Sequence, residues 1–396
     1  MRLGVYTDYS YARADGALHA EQSFSIFLAG LATRFERLVL IGRLNPEVER
    51  ARYPLPDTAD FVALPYYVSL ARPWNVARSI GGSLWRFWRT LDDIDAVWLL
   101  GPHPLSLAFA LLARARGRKV LLGVRQDLPV YVRRRHPTRR SLHLAASMLE
   151  AGYRGLARRC PTIVVGPALK HSYARAPSLL AISVSLIEGN DVVELATACA
   201  RRYDGELTVL SVGRIDPEKN PLMLADVLSR LCGHGRASWR LVVCGEGPLE
   251  EPLTARLRAL GVADRAELRG YVPLGEGMRE VYEGGHFLLH TSWTEGLPQV
   301  VIEAFAAGLP VVATDVGGIR EAVGDAAILI APGDDAGAAQ ALRSLVEDVA
   351  RREESVGRGL AYAHAHTLDS ELDRLADFIL RDGAQPELDR PLALQM

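Results

Sequence analysis

Cysteine is scarce: the 396-residue chain has four, Cys160, Cys199, Cys232 and Cys244, none in a CxxC pair or a Cys/His cluster. That excludes a disulfide framework and a clustered zinc site, and implies a reducing compartment. Apolar runs long enough to span a bilayer are missing as well. Met1-Arg2 leads straight into Leu3-Gly4-Val5-Tyr6 without the apolar stretch of a signal peptide. The expected location is therefore the cytoplasm, with contact at the inner face of the cell membrane left open. There is no internal repeat and no low-complexity segment. The formal net charge is only −1, so no excess of one sign marks the whole chain as a nucleic-acid binder or an acidic tail.

The near-zero balance hides an asymmetry. The segment from Arg72 to Arg159 carries a charge of +12, and the remainder −13. A basic first half is expected to meet something anionic. Within it, Arg72, Arg78, Arg86 and Arg89 mix with Trp74, Trp85, Phe87 and Trp88, and Arg133-Arg134-Arg135 and Arg139-Arg140 follow. Cations beside aromatics suit an anionic membrane surface or a lipid-phosphate acceptor, although part of the aromatic set belongs in the core. No nucleic-acid-binding motif accompanies them, so nucleic acid is not an expected partner.

The length favours two domains. Short apolar runs alternate with amphipathic stretches: strands at 3–7, 37–41, 96–100, 120–124 and 162–165, with helical patterns at 21–34 and 105–116. The alternation restarts with strands at 207–212, 240–244, 266–268, 287–289 and 311–313 and helices at 221–231 and 298–307. Strand–helix repetition twice over predicts two doubly wound parallel sheets, an α/β fold. The expected division is 1–190 and 191–365, with a last helix near 366–383 packing back on the first domain. Ligands of such sheets bind beyond the carboxyl ends of the strands.

The clearest chemistry lies in the second half. After the strand ending at Val212 comes Gly213-Arg214-Ile215-Asp216-Pro217-Glu218-Lys219-Asn220-Pro221. Asn220 and Pro221 have the composition of a helix N-cap and first turn. Arg214 and Lys219 then share one loop at the mouth of the sheet. Two fixed cations there suit a diphosphate and the charge that grows as it leaves; a solvated loop is the plainer alternative. After the strand ending at Leu289 comes Thr294-Glu295-Gly296-Leu297-Pro298, with Glu303 on the following helix. Free amides at Gly296-Leu297 would form an anion site. Glu295 and Glu303 can line one pocket and accept hydrogen bonds from sugar hydroxyls. Gly245-Glu246-Gly247-Pro248 fails as a dinucleotide fingerprint because Glu250 replaces the third glycine, which argues against an oxidoreductase. Its glycines mark either a close backbone approach to a ligand or a tight turn.

These segments, with Arg269-Gly270-Tyr271-Val272 and Gly317-Gly318-Ile319-Arg320-Glu321, occur in an order that resembles the retaining glycosyltransferase family 4. Glu295 and Glu303 match its EX7E motif, and the likeness is strong over about 207–330. The resemblance implies a GT-B architecture, in which two Rossmann-like domains face a central cleft. It implies that Arg214 and Lys219 bind the donor diphosphate and that Glu295 contacts the transferred sugar. Glu303 would hold the ribose. Glu246 and the backbone from Arg269 through Tyr271 to Val272 would approach the nucleotide, and Gly213, Gly296, Leu297 and Pro298 its phosphates or sugar.

In the first half the family has a Gly-Gly pair opening the first helix near the donor phosphate; this chain has Gly16-Ala17. His103, in Gly101-Pro102-His103-Pro104, resembles the family's active-site histidine, and a capping or buried role is the alternative. Where relatives carry a histidine after the strand ending at Val124, this chain has Arg125-Gln126-Asp127. Arg125 and Asp127 are placed on the acceptor side. The DxD string Asp92-Asp93-Ile94-Asp95 precedes a strand, the wrong end for a ligand site, and reads as a solvated turn.

The resulting expectation is a retaining sugar transferase without cofactor or metal. It would use a UDP- or GDP-sugar donor and a sugar, lipid-linked or other hydroxyl acceptor, in polysaccharide, glycolipid or glycoconjugate synthesis. A nucleotide-sugar epimerase or hydrolase, or a non-catalytic binder, stands as the alternative.

Overall fold

The structure, a computed structural model, describes residues 1–14, 16–46, 53–67, 73–233 and 237–383. Arg72 lies outside the described residues, as do the side chains of Trp74 and Arg78.

Two sheets organise the chain. The first has nine strands. Its parallel part runs, edge to edge, Asp60–Leu64, Arg37–Leu44, Arg2–Ala14, Ala96–Gly101, Lys119–Val124, Thr162–Val165 and Leu179–Ile182. The second has six parallel strands, in the order Ala266–Gly270, Ser238–Cys244, Glu206–Val212, Phe287–His290, Val311–Thr314 and Ala327–Ile330. In each sheet the winding reverses beside the first strand. That leaves a crevice at Thr7-Asp8 and Gly101–His103 in one domain and at Gly213-Arg214 and His290-Thr291 in the other. This is the GT-B architecture.

Both faces of each sheet are covered, which is why the strands read as unbroken apolar runs. Along Ala96–Leu100, Trp98 and Leu100 enter one core and Val97 and Leu99 the other. Across Leu241–Cys244 the same alternation divides the two cores of the second sheet. The last helix, Leu368–Gly383, crosses back to the first domain. Its Leu372, Leu375 and Ile379 are buried with Leu3, Phe27 and Leu31. Arg34 pins it through Asp369 at 2.6 Å and Asp373 at 3.0 Å.

Several local expectations are corrected. The first strand continues to Ala14 and folds back as a hairpin with Ala17–Ala20, pairing Ala14 with Ala17. Gly16, at φ +81°, makes that turn. Gly16-Ala17 therefore sits at a hairpin tip, not at the start of the first helix, which begins at Phe24. That helix is only Phe24–Ala29 with a 3-10 turn Gly30–Thr33 after it. Asn220 is not an N-cap: it takes a left-handed conformation, φ 51° and ψ 50°, closing the 3-10 turn Pro217–Lys219, and the helix starts at Leu222. Strands at Ala17–Ala20, Tyr53–Pro54, Asp60–Leu64, Leu179–Ile182 and Ala327–Ile330 went unforeseen. They are short, so each offers few residues to show a period of two.

Of the aromatics in the basic segment, Phe87 is fully buried, stacked on Phe109 at 4.0 Å between centroids. Trp85 is exposed. No helix among the described residues is long and apolar enough to cross a membrane.

Candidate active site

The loops after the first three strands of the second sheet stack on one another. Gly213 donates its amide to Cys244 O at 2.9 Å, Ile215 to Glu246 O at 2.9 Å, and Gly245 to Gly270 O at 2.7 Å. A Cβ on Gly245 would lie 1.9 Å from Gly213 O, and one on Gly247 2.5 Å from Ile215 O. These glycines are thus demanded by neighbouring backbone, and the close approach is between loops of the domain itself. The stacking brings Glu246 and Arg269–Val272 next to Gly213 and Arg214 at one end of the sheet. The Arg269 guanidinium turns to Glu267, 2.8 Å away.

Arg214 and Lys219 reach the interdomain cleft as their spacing predicts, and both arrive with partners. Arg214 bonds Asp216, and its Nη2 lies 3.0 Å from Glu218 Oε1. Lys219 Nζ is bonded to Glu295 Oε1. That oxygen also accepts from Ser292 Oγ at 2.8 Å and has His290 Nε2 3.3 Å away. Burial would push the Glu295 carboxyl up, but the Lys219 ammonium, with His290 adding to it, holds it well below the ordinary carboxylate range. Glu295 is therefore ionised, an acceptor only.

Glu303 lies in the second turn of the helix Gln299–Ala306 and accepts from Tyr282 Oη at 2.6 Å. Burial raises its pKa, and the Tyr282 bond offsets only part of the rise. Pro298 precedes the first helical residue. Among the described residues the Gly296 and Leu297 amides donate to no backbone carbonyl.

Two cavities meet at Arg214, Lys219 and Glu295; Glu303, expected to share a pocket with Glu295, lines neither, because its side chain is turned to Tyr282. One, of about 470 Å³, lies between Gln126, Asp127 and Tyr131 of the first domain and Arg214, Lys219, Trp293 and Glu295 of the second. The other, of about 660 Å³, lies between Glu21, Ser23 and Tyr53 on one side and Gly213, His290, Leu297 and Pro298 on the other. Arg214, Lys219 and Glu295 line both. Gly16 and Ala17 line neither, since the hairpin carries them away. The domains touch closely here: a Cβ on Gly296 would come 2.9 Å from Arg125 O, and Ser23 Oγ donates to Gln299 Oε1 at 3.0 Å.

Across the cleft, the first domain's crevice holds a second polar cluster. Arg125 bonds Tyr9 and pairs with Asp8 at 2.9 Å, and Arg43 Nη1 donates to Tyr67 O at 3.0 Å. Burial alone would raise the Asp8 carboxyl, but Arg125 holds it below its ordinary value. His103 does cap its helix: Nδ1 accepts from Leu105 N at 3.3 Å and from Tyr6 Oη at 3.1 Å, so Nε2 carries the proton and faces Tyr67 Oη at 3.5 Å. Burial lowers its pKa to about 4, so the ring is neutral. Asp127 caps the helix Leu128–Arg135 through Val130 N at 2.9 Å, while still lining the cleft. The Asp92–Asp95 turn is taken up by cations: Asp95 meets Arg2 at 2.7 Å and Asp92 bonds Arg116. Among the described residues no group of three or more His, Cys, Asp or Glu is arranged to hold a metal.

A profile described as Glycosyl transferases group 1 matches residues 206–348. That stretch of the chain is similar to the family. The matched stretch contains the whole Arg214–Lys219–Glu295–Glu303 constellation. This chain is 31% identical over 142 residues to the phosphatidylinositol N-acetylglucosaminyltransferase gpi3 subunit of Schizosaccharomyces pombe, covering 36% of this chain and 31% of that protein. It spans about a third of the length of the first curated relatives it matches. A phosphatidyl-myo-inositol mannosyltransferase of Mycobacterium leprae is 24% identical over 98% of this chain and all of its own. Among solved structures, a sucrose-phosphate synthase from Thermosynechococcus elongatus superposes with a TM-score of 0.75 at 15% identity, covering 96% of this chain and 98% of its own.

Residues that sequence reasoning passed over include Asp216, Glu218 and His290. The two acids stand two and four residues after Arg214, a spacing that marks them as its partners. His290 ends a strand beside the Glu295 motif. Arg125 is joined to Asp8 and Tyr9 only by the fold, across more than a hundred residues, and no local pattern marks the cluster.

Proposed function

We propose that this chain is a retaining glycosyltransferase that moves a sugar from a UDP- or GDP-sugar to an acceptor hydroxyl, with fixed cations in place of a metal. The observation that carries this reading is the convergence of Arg214, Lys219 and Glu295 on the wall shared by two interdomain cavities. Arg214 and Lys219 bind the diphosphate and stabilise it as it leaves. Glu295, ionised, accepts hydrogen bonds from the hydroxyls of the transferred sugar. Glu303 takes the ribose hydroxyls, and the neighbouring loops at Glu246 and Arg269–Val272 take the base. The Gly296 and Leu297 amides face the phosphates.

The acceptor enters from the first domain, where Asp127 lines the cleft and Asp8, Arg125 and His103 belong to the polar cluster of the crevice. None of these is built as a strong general base. His103 is neutral but spends Nδ1 on its helix cap, and Asp8 is locked to Arg125. This fits same-face attack, in which the leaving phosphate takes the acceptor proton. A hydrolase or epimerase would need a free acid or base here, and Asp127 is engaged with Val130 N and, at 3.8 Å, with Arg154.

Polysaccharide, glycolipid or glycoconjugate synthesis at the cytoplasmic membrane face is the setting we infer. Leu142, Leu144 and Met148 of the helix Arg140–Ala157 are exposed directly after the run Arg133-Arg134-Arg135 and Arg139-Arg140. That combination suits an anionic bilayer surface.

Product analysis tests the reaction. With UDP- and GDP-sugars and a panel of hydroxyl acceptors, free nucleotide is expected only when acceptor is present. Release without acceptor would mean hydrolysis, and no release with any pairing would remove the reading.

A further inference from the structure

Arg135 is the last residue of the helix Leu128–Arg135, on the first domain, yet its guanidinium crosses the cleft. Nη1 lies 3.3 Å from Glu218 Oε1 and 3.8 Å from Asp216 Oδ2. Those are the same two oxygens that hold Arg214. Both acids are nearly inaccessible, at 6% exposure for Asp216 and 3% for Glu218, and Glu218 Oε2 is buried with no partner. Tyr131 Oη fixes the Arg135 side chain by accepting from Nη1 at 2.7 Å.

Two buried carboxylates and two guanidiniums therefore form one cluster, and three of its four charges belong to the second domain. Buried carboxylates without a full complement of cations are costly. With the domains apart, Arg214 alone would balance Asp216 and Glu218, and turning it toward a ligand would strip them. With the domains together, Arg135 supplies a second cation to the same oxygens. Arg214, which is half-exposed and lines both cavities, can then give its outer N–H groups to a diphosphate. The geometry points to Arg135 as a positioning residue: it takes over Asp216 and Glu218 on domain closure, frees Arg214 for the donor diphosphate, and so couples closure to donor binding. This rests on the diphosphate role proposed for Arg214.

The coupling has a signature that direct contact lacks, because it runs through Arg214. The test is calorimetric titration of UDP and GDP into wild-type protein, Arg135→Gln, Arg214→Gln and the double variant. Arg135→Gln is expected to weaken nucleoside-diphosphate binding about tenfold, within the usual range of such couplings. In the Arg214→Gln background the same change should cost nothing further. Adding Glu218→Gln to Arg135→Gln should restore affinity, since one carboxylate no longer claims Arg214. Arg135→Lys, which keeps the charge, should lie between, and guards against a folding defect. Wild-type affinity in Arg135→Gln, an equal loss with and without Arg214, or no rescue by Glu218→Gln would overturn the inference while leaving the diphosphate site standing. Failure of the wild-type protein to bind any nucleoside diphosphate would remove both.

Discussion

Lys219 and Glu295, 76 residues apart, form a partly buried ion pair at the point where the two cavities of the cleft meet. The lysine is the partner that keeps the glutamate ionised, and the glutamate holds the ammonium at the cavity wall. A donor that binds here meets a cation already neutralised in the resting protein. In the proposed reaction the diphosphate would share Lys219 with Glu295, and the sugar would meet a carboxylate whose charge is already compensated.

Lys219→Ala removes the ammonium proposed to stabilise the leaving diphosphate. Turnover is expected to fall about 10²–10³-fold, the scale of losing one preorganised charge partner. Steady-state rates check this, with the melting temperature as control for the fold. Near wild-type rates would remove Lys219 from the site.

Glu295→Gln separates binding from chemistry. Without its carboxylate partner Lys219 is more available to a diphosphate, so affinity for UDP or GDP should hold or improve. Turnover of the nucleotide sugar should drop, because the strong acceptor for the sugar hydroxyls is gone. Calorimetric affinities set beside kcat decide it. Parallel losses in both would contradict this division of roles.

Gly296→Ala probes closure. The added methyl meets Arg125 O at 2.9 Å and Val165 O at 3.5 Å, both on the first domain. The cleft should be held open, with a larger radius of gyration in solution scattering and lower turnover. Each domain's melting should change little. Unchanged scattering and activity would show that the contact yields without consequence.

His103 has a pKa of about 4 in the folded protein, lowered chiefly by burial, against about 6.5 when unfolded. Between those values the unfolded chain binds a proton that the folded one refuses. Its contribution to stability is therefore complete above about pH 6.5 and is lost as pH falls toward 4. His103→Asn keeps an acceptor for Leu105 N and removes the titration. The loss of melting temperature between pH 7 and pH 5 should be smaller in the variant; an equal loss would place the titration elsewhere.

The two-sheet architecture and the meeting of Arg214, Lys219 and Glu295 at the cleft are legible in the residues alone. Strands such as Phe287–Leu289 are apolar on both faces, and Arg214, Lys219 and Glu295 lie within about seven residues of strand ends, while Glu303 is marked only by its spacing from Glu295. What local reading misses is of two kinds. Gly16-Ala17 carries turn chemistry that a loop and a hairpin tip share, so only the pairing of Ala14 with Ala17 tells them apart. Arg135 and Arg125 gain their meaning from residues more than eighty positions away, and a run of arginines reads the same whether solvated or spanning a cleft.

The direct test of a cation-clamped diphosphate is titration of UDP and GDP in the presence of EDTA, into wild-type protein and the Arg214→Ala, Lys219→Ala double variant. The account predicts binding by the wild type that EDTA leaves unchanged and that weakens at least about tenfold in the double variant. Binding that needs added magnesium, or that survives loss of both cations, would contradict it.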